Sequence, residues 1–193
     1  MAKLLITGFT PFDSRKINAS WVAAKTYRNA HHLEIPVVWG APMPHLRRAI
    51  EQYQPDTVIS LGEGRESWFD IETRAKNTRK HRMDNHGEHP IEDISPGGPD
   101  LRVASIDASG VHQDLVEQDI PIRVSEDAGQ FLCEETLYCL ETLKEQQLGL
   151  NKVTFTHLPP YGTKIHYRGE DKFVNEPLLA DYVQRLVKAV NNV

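Results

Sequence analysis

At 193 residues the chain is long enough to bury one substantial core, and a single domain over residues 1–193 is the expectation. Its hydrophobic content of 39% fits an ordinary soluble globular protein. A net charge of −5 offers no sign of a nucleic-acid or acidic-membrane partner, and no apolar run reaches the length that spans a bilayer.

In chain order, residues 3–7 are a short apolar run ending at Gly8, which predicts a buried strand. Phe9-Thr-Pro-Phe12 through Asn18 reads as a loop, and Ser20 as the N-cap of a helix over 21–31. Residues 33–39 predict a second strand. Residues 44–54 predict a helix with Leu46, Ile50 and Tyr53 at helical spacing. Residues 57–61 predict a third strand, closed by a turn at Gly62-Glu-Gly64. Residues 69–75 alternate, with Phe69, Ile71, Thr73 and Ala75 on one face and Asp70, Glu72 and Arg74 on the other. That pattern predicts a half-exposed strand whose charged face is solvated. Residues 77–107 are polar and aperiodic, a long excursion of the kind that is functional or mobile. A helix over 112–118, a strand over 120–124, a helix over 128–147, a strand over 152–157 and a helix over 177–191 complete the pattern. Strands alternating with helices predict an α/β fold: a three-layer α/β/α sandwich around a mostly parallel twisted sheet, phosphorylase/hydrolase-like. Ligands of such sheets sit at the carboxyl ends of strands, where residues 8–12, 62–65 and His157 converge.

The segment Ser125-Glu-Asp-Ala-Gly-Gln-Phe-Leu-Cys133 places a thiol near the head of a predicted helix. A helix N-terminus favours a thiolate, and its free N–H groups can hold an oxyanion. Taken alone, Cys133 also reads as a small buried hydrophobe beside Leu132. His157, in Val153-Thr-Phe-Thr-His157-Leu-Pro-Pro, stands at a strand edge, where it can serve as base and acid for a thiol or simply as a hydrogen-bonded terminus. Glu72 can orient an imidazole, although Asp70, Glu72 and Arg74 alone read as a solvated face. The run His81-Arg-Met-Asp84-Asn-His86-Gly-Glu88-His89 has metal-ligand residue types without regular spacing and reads as a solvated loop. Gly62-Glu-Gly64 lacks the third glycine of a dinucleotide fingerprint.

Assembled, these residues resemble the pyroglutamyl peptidase I (pyrrolidone-carboxylate peptidase) family of cysteine peptidases, of which the chain looks like a divergent member. Thr7-Gly-Phe-Thr-Pro-Phe12 is similar to the family's Thr-Gly-Phe-x-Pro-Phe, and Asn18-Ala-Ser20 to its Asn-Pro-Ser. Glu72-Thr-Arg-Ala75-Lys-Asn77 resembles the motif that carries the catalytic glutamate, and Asp84-Asn85-His-Gly87 a following Asp-Asn-x-Gly. Asp127-Ala-Gly-Gln-Phe-Leu-Cys133 resembles the nucleophile motif, and His157-Leu-Pro159 the motif of the catalytic histidine. The motifs occur in order over nearly the whole chain. Departures fall around the substrate loops. Asp13-Ser14 stands where the family has a double glycine, and Glu134 where it has Asn after the nucleophile. The family's arginine before Asp-Asn has no in-register partner, leaving Arg82 or Arg79 to stand in.

The resemblance implies removal of an N-terminal pyroglutamyl residue from peptides by a Cys133–His157–Glu72 triad. The backbone N–H of Cys133 is the expected oxyanion donor, with Arg82 a second candidate. A small, flat lactam needs apolar walls, for which Phe9, Phe12 and Phe131 are candidates, with Asn18 bracing their loop and Arg82 beside it. No metal or organic cofactor is implied. The same fold also suits a cysteine amidohydrolase of another small N-acyl or lactam group, or a non-catalytic small-ligand-binding relative. The N-terminal stretch lacks the flanks of a signal peptide. Cys133 and Cys139 project from different sides of one helix, so no disulfide is expected between them, and a cytoplasmic setting is. The resemblance makes a homo-oligomer plausible.

Overall fold

The first strand, Leu4–Phe9 (β1), is buried along its whole length because it lies inside a sheet covered on both faces. The computed structural model describes residues 3–90, 92–146 and 149–193. After β1 come Ala19–Thr26 (α1), His31–Ile35 (β2), Pro42–Tyr53 (α2) and Thr57–Glu63 (β3). Phe69–Glu72 (β4), Arg74–Lys76 (β5), Leu101–Val103 (β6), Ala108–Val116 (α3) and Ile122–Ser125 (β7) follow. The chain ends with Leu132–Gln146 (α4), Lys152–Leu158 (β8), Lys164–Tyr167 (β9), Glu170–Phe173 (β10) and Glu176–Asn192 (α5).

Six strands form the central sheet in the order β2-β1-β3-β8-β4-β7. Every pairing is parallel except β4 with β8, which aligns Asp70 with His157 and Ile71 with Thr156. Helices α1, α3 and α5 cover one face, closing a core around Ile6, Ile59, Phe69 and Leu186. Helices α2 and α4 cover the other, around Leu5, Val58, Phe155 and Leu140. The expected three-layer sandwich on a mostly parallel sheet is the observed fold.

Several boundaries differ from those predicted, each for a local reason. Helix α1 is capped by Asn18 rather than Ser20: the Asn18 side chain accepts from the Ser20 N–H at 3.0 Å, while the Ser20 hydroxyl accepts from Phe9 N–H. It stops at Thr26, which leaves His31 free to open β2. Pro36 has no N–H to continue the ladder, so β2 ends before it, short of the predicted Trp39. Helix α3 starts earlier than predicted, at Ala108, because Asp107 caps it through the Gly110 N–H.

The predicted strand over 69–75 is two. Strand β4 is inner and buried at all four positions, so Asp70 and Glu72 do not form a solvated face. Beyond Thr73 the chain leaves the sheet, and β5 pairs with β6 instead. Helix α4 begins at Leu132 rather than at residue 128, because Gly129 (φ 89°) and Gln130 (φ 55°) are left-handed. Its predicted last residue, Gln147, lies outside the described residues. The hairpin β9–β10 was not predicted at all; Arg168 and Gly169, both with positive φ, make its tight turn.

Candidate active site

The two left-handed residues ahead of α4 turn the chain sharply, so that Cys133 falls in the first helical turn, where N–H groups have no intrahelical acceptor. Its thiol is half-buried and unbonded to the other cysteine. On β8, His157 is buried, with its ring edge-on to Phe155 at 5.2 Å. Its Nδ1 is 2.7 Å from Oε1 of Glu72, which is 1% exposed. The second Glu72 oxygen is buried and has no hydrogen-bond partner. Burial alone disfavours the imidazolium. The nearby Cys133 sulfur, and then the bonded Glu72 carboxylate, outweigh it and push the His157 pKa up to about 10. The imidazole and the carboxylate are thus in direct contact, and the thiol borders the same cavity.

Two glycines make that arrangement sterically possible. A Cβ on Gly62 would come within 2.8 Å of the Cys133 sulfur and of Phe155, and one on Gly64 within 2.7 Å of the His157 Cβ. Gly62 and Glu63 belong to β3 rather than to a turn, and Glu63 itself accepts the Ala19 N–H and pairs with Arg15. Alternating glycines at a strand's carboxyl end were the available signal for this close approach.

The cavity has a volume of about 300 Å³, and all eight sequence-selected residues border it: Phe9, Phe12, Asn18, Glu72, Arg82, Phe131, Cys133 and His157. Phe9 is almost wholly buried and packs on Phe155, so it belongs to the core as well as to the wall. Phe131 stands edge-on to Trp39 at 4.9 Å. Asn18 donates to the Thr10 carbonyl at 3.0 Å, fixing the loop that carries Phe12. The Arg82 guanidinium lies 4.4 Å from the Phe131 ring centre and 5.4 Å from that of Phe12, and it pairs with Asp13. Arg79 does not border the cavity; it grips Glu135 through two nitrogens, both at 3.1 Å.

The excursion over 77–107 is organised by polar side chains rather than left loose. Asp84 accepts the N–H groups of Trp39, His86 and Glu88, and Asn85 donates to the Pro11 carbonyl. These bonds hold the Asp84 carboxyl below its usual range against the opposing effect of burial. His81 and His89 stack at 4.2 Å. Among the described residues no group of three or more His, Cys, Asp or Glu is arranged to hold a metal. No helix among them is long and apolar enough to cross a membrane.

The chain is similar to known proteins over most of its length. The pyrrolidone-carboxylate peptidase of Finegoldia magna is 28% identical, over 97% of this chain and 92% of its own length. That of Bacillus subtilis is 38% identical, over 72% of this chain and 69% of its own length. The crystal structure of Bacillus amyloliquefaciens pyroglutamyl peptidase I superposes with a TM-score of 0.88 at 24% identity, covering 100% of this chain and 98% of that one. The pyrrolidone carboxyl peptidase from Thermococcus litoralis gives 0.83 at 26% identity, covering 100% and 94%. A family model described as pyroglutamyl peptidase matches residues 2–190, and with these relatives it establishes that the chain belongs to the pyroglutamyl peptidase family.

Proposed function

We propose that this protein is a cysteine peptidase that removes an N-terminal pyroglutamyl residue from peptides, with Cys133 as nucleophile, His157 as acid and base, and Glu72 as the carboxylate that orients it. The observation that carries the reading is the meeting of Cys133, His157 and Glu72 at one cavity, with His157 bonded to Glu72, inside a family match that spans the sequence. Glu72 engages Nδ1, which leaves Nε2 for the thiol. The thiolate attacks the pyroglutamyl carbonyl, and the first-turn N–H groups of α4, including that of Cys133, receive the oxyanion. His157 gives its proton to the amine as the C–N bond breaks, leaving a thioester. Water then loses a proton to His157 and adds to the acyl carbon, and the C–S bond breaks to release pyroglutamate and restore the thiolate.

Phe9, Phe12 and Phe131 supply apolar walls for the lactam, and Asn18 holds the loop that carries one of them. Arg82, engaged by Asp13 and the two aromatic rings, favours a wall role over an oxyanion role. The proposal extends to a single catalytic unit over residues 1–193 working in the cytoplasm, where thiols stay reduced. A homo-oligomer, plausible from the resemblance, is checked by analytical sedimentation.

The test is release of a fluorescent amine from a pyroglutamyl amide by the wild type and by Cys133→Ala. Turnover that disappears in a folded mutant is the expected result. A folded wild type that leaves the substrate intact would overturn the pyroglutamyl specificity.

A further inference from the structure

Glu134 follows the nucleophile in sequence but turns away from the cavity. It is 1% exposed and does not border the site. Its carboxylate accepts two backbone N–H groups: Oε2 from Gln130 at 2.9 Å, and Oε1 from Lys76. Lys76 ends β5, the strand that directly follows the one closing on Glu72. Gln130 is the left-handed residue whose turn delivers Cys133 to the helix start, and its carbonyl also accepts the Lys80 N–H. One side chain therefore joins the backbone behind the carboxylate to the backbone behind the thiol.

We propose that Glu134 is a positioning residue for the peptidase reaction: by bridging the Lys76 and Gln130 N–H groups it sets the reach of Cys133 toward the His157–Glu72 pair. The proposal rests on the Cys133–His157–Glu72 reading of the site. The chemistry favours a carboxylate here. It offers each N–H its own oxygen and complements the positive end of α4. The Asn that the family resemblance would place here is shorter by a methylene, and its single oxygen cannot serve both donors in this geometry. Burial pushes the Glu134 carboxyl up, and the bonds from Lys76 and Gln130 oppose that; Asp127 adds to the rise and the Lys76 ammonium to the opposition. The two N–H groups that it joins hold this buried side chain in place.

Glu134→Gln tests the bridge with little change in shape, since the amide keeps one acceptor and turns an NH2 toward the other donor. Glu134→Ala removes both. The readings are kcat and KM on a pyroglutamyl fluorogenic amide, the rate of Cys133 alkylation by iodoacetamide, and the thermal midpoint. For folded Glu134→Gln, kcat is expected to fall about tenfold or more with KM within about twofold, because a slightly misplaced nucleophile loses rate rather than binding. Alkylation of Cys133 is expected to slow in parallel. Unchanged kcat and alkylation in the folded variant, or a loss confined to KM, would overturn the proposal. If Glu134→Ala does not fold, the Gln variant still decides. Alkylation needs no peptide substrate: slowing of it in Glu134→Gln would uphold the positioning role even if the wild type spared the pyroglutamyl amide.

Discussion

Gly62 shows how much of the site depends on an atom that is absent. The Cys133 sulfur occupies the space that any side chain at residue 62 would claim. Gly62→Ala must therefore displace the thiol or Phe155. Its expected result is a folded protein with kcat lowered about 100-fold, the cost of a misplaced nucleophile, read by steady-state kinetics beside a melting curve. Glu72→Gln probes the other end of the proposed triad. It keeps the shape but removes the charge that holds the imidazolium, so kcat should fall by about 10²–10⁴. Activity within a few-fold of wild type would remove Glu72 from the mechanism. Cys139 provides an internal control for thiol labelling, since burial drives its pKa far up and leaves it unreactive.

At the scale of elements, the two decisive features are the entry to α4 and the burial of β4. The residues Gly129 and Gln130 shorten the predicted helix by about one turn. That shortening puts Cys133 at free N–H groups instead of a full turn inside the helix. Periodicity could not reveal this, because Leu132, Leu137 and Leu140 keep helical spacing wherever the helix begins. In β4 the alternation of charged and apolar residues was read correctly as two faces, but the charged face turns to a cavity and not to bulk water. Only the neighbouring strands decide between those two, and β8 and β7 lie far away in sequence. The β9–β10 hairpin leaves no periodic signal in the sequence because its strands are short and largely polar. The α1 cap links an element to the pocket. Asn18→Ala should cost about 1 kcal/mol from the lost cap. It also frees the Thr10 carbonyl and the Phe12 loop, so a lower thermal midpoint should come with a raised KM. A raised KM without any loss of stability would separate the two roles assigned to Asn18.

At the scale of the whole molecule, the site and the stability of the fold are joined through one proton. The folded protein holds His157 at a pKa of about 10, against an ordinary value of 6.5. Where the Glu72 carboxylate supplies that rise, the native state keeps a proton that the unfolded chain releases; where the Cys133 sulfur supplies it, the proton only passes within the pair. A raised pKa contributes stability that is complete below about pH 6.5 and is lost as pH climbs through about 10. Melting temperatures of the wild type should fall across that interval, and His157→Asn should flatten the decline. An identical decline in the variant would place the effect elsewhere. The layers, the parallel sheet and the meeting of strand ends at one rim were legible from the order of apolar runs. The proposed triad was legible only through several motifs together, because Cys133, His157 and Glu72 each carry an ordinary structural reading when taken singly. Glu134 offered no sequence signal as a bridge, because its two partners are backbone groups that any sequence presents.

The unpartnered oxygen of Glu72 has a consequence for traffic through the site. On the inner side one carboxylate oxygen is engaged by His157, and the other has no donor among the described residues. Among the described residues no side chain is bonded beyond that oxygen to carry a proton further inward. A proton that reaches the imidazole leaves by the face it came in on, toward whatever stands in the cavity: the thiol, a departing amine or an entering water. The buried end acts as an insulator, and the same proton is handed back and forth across one small gap.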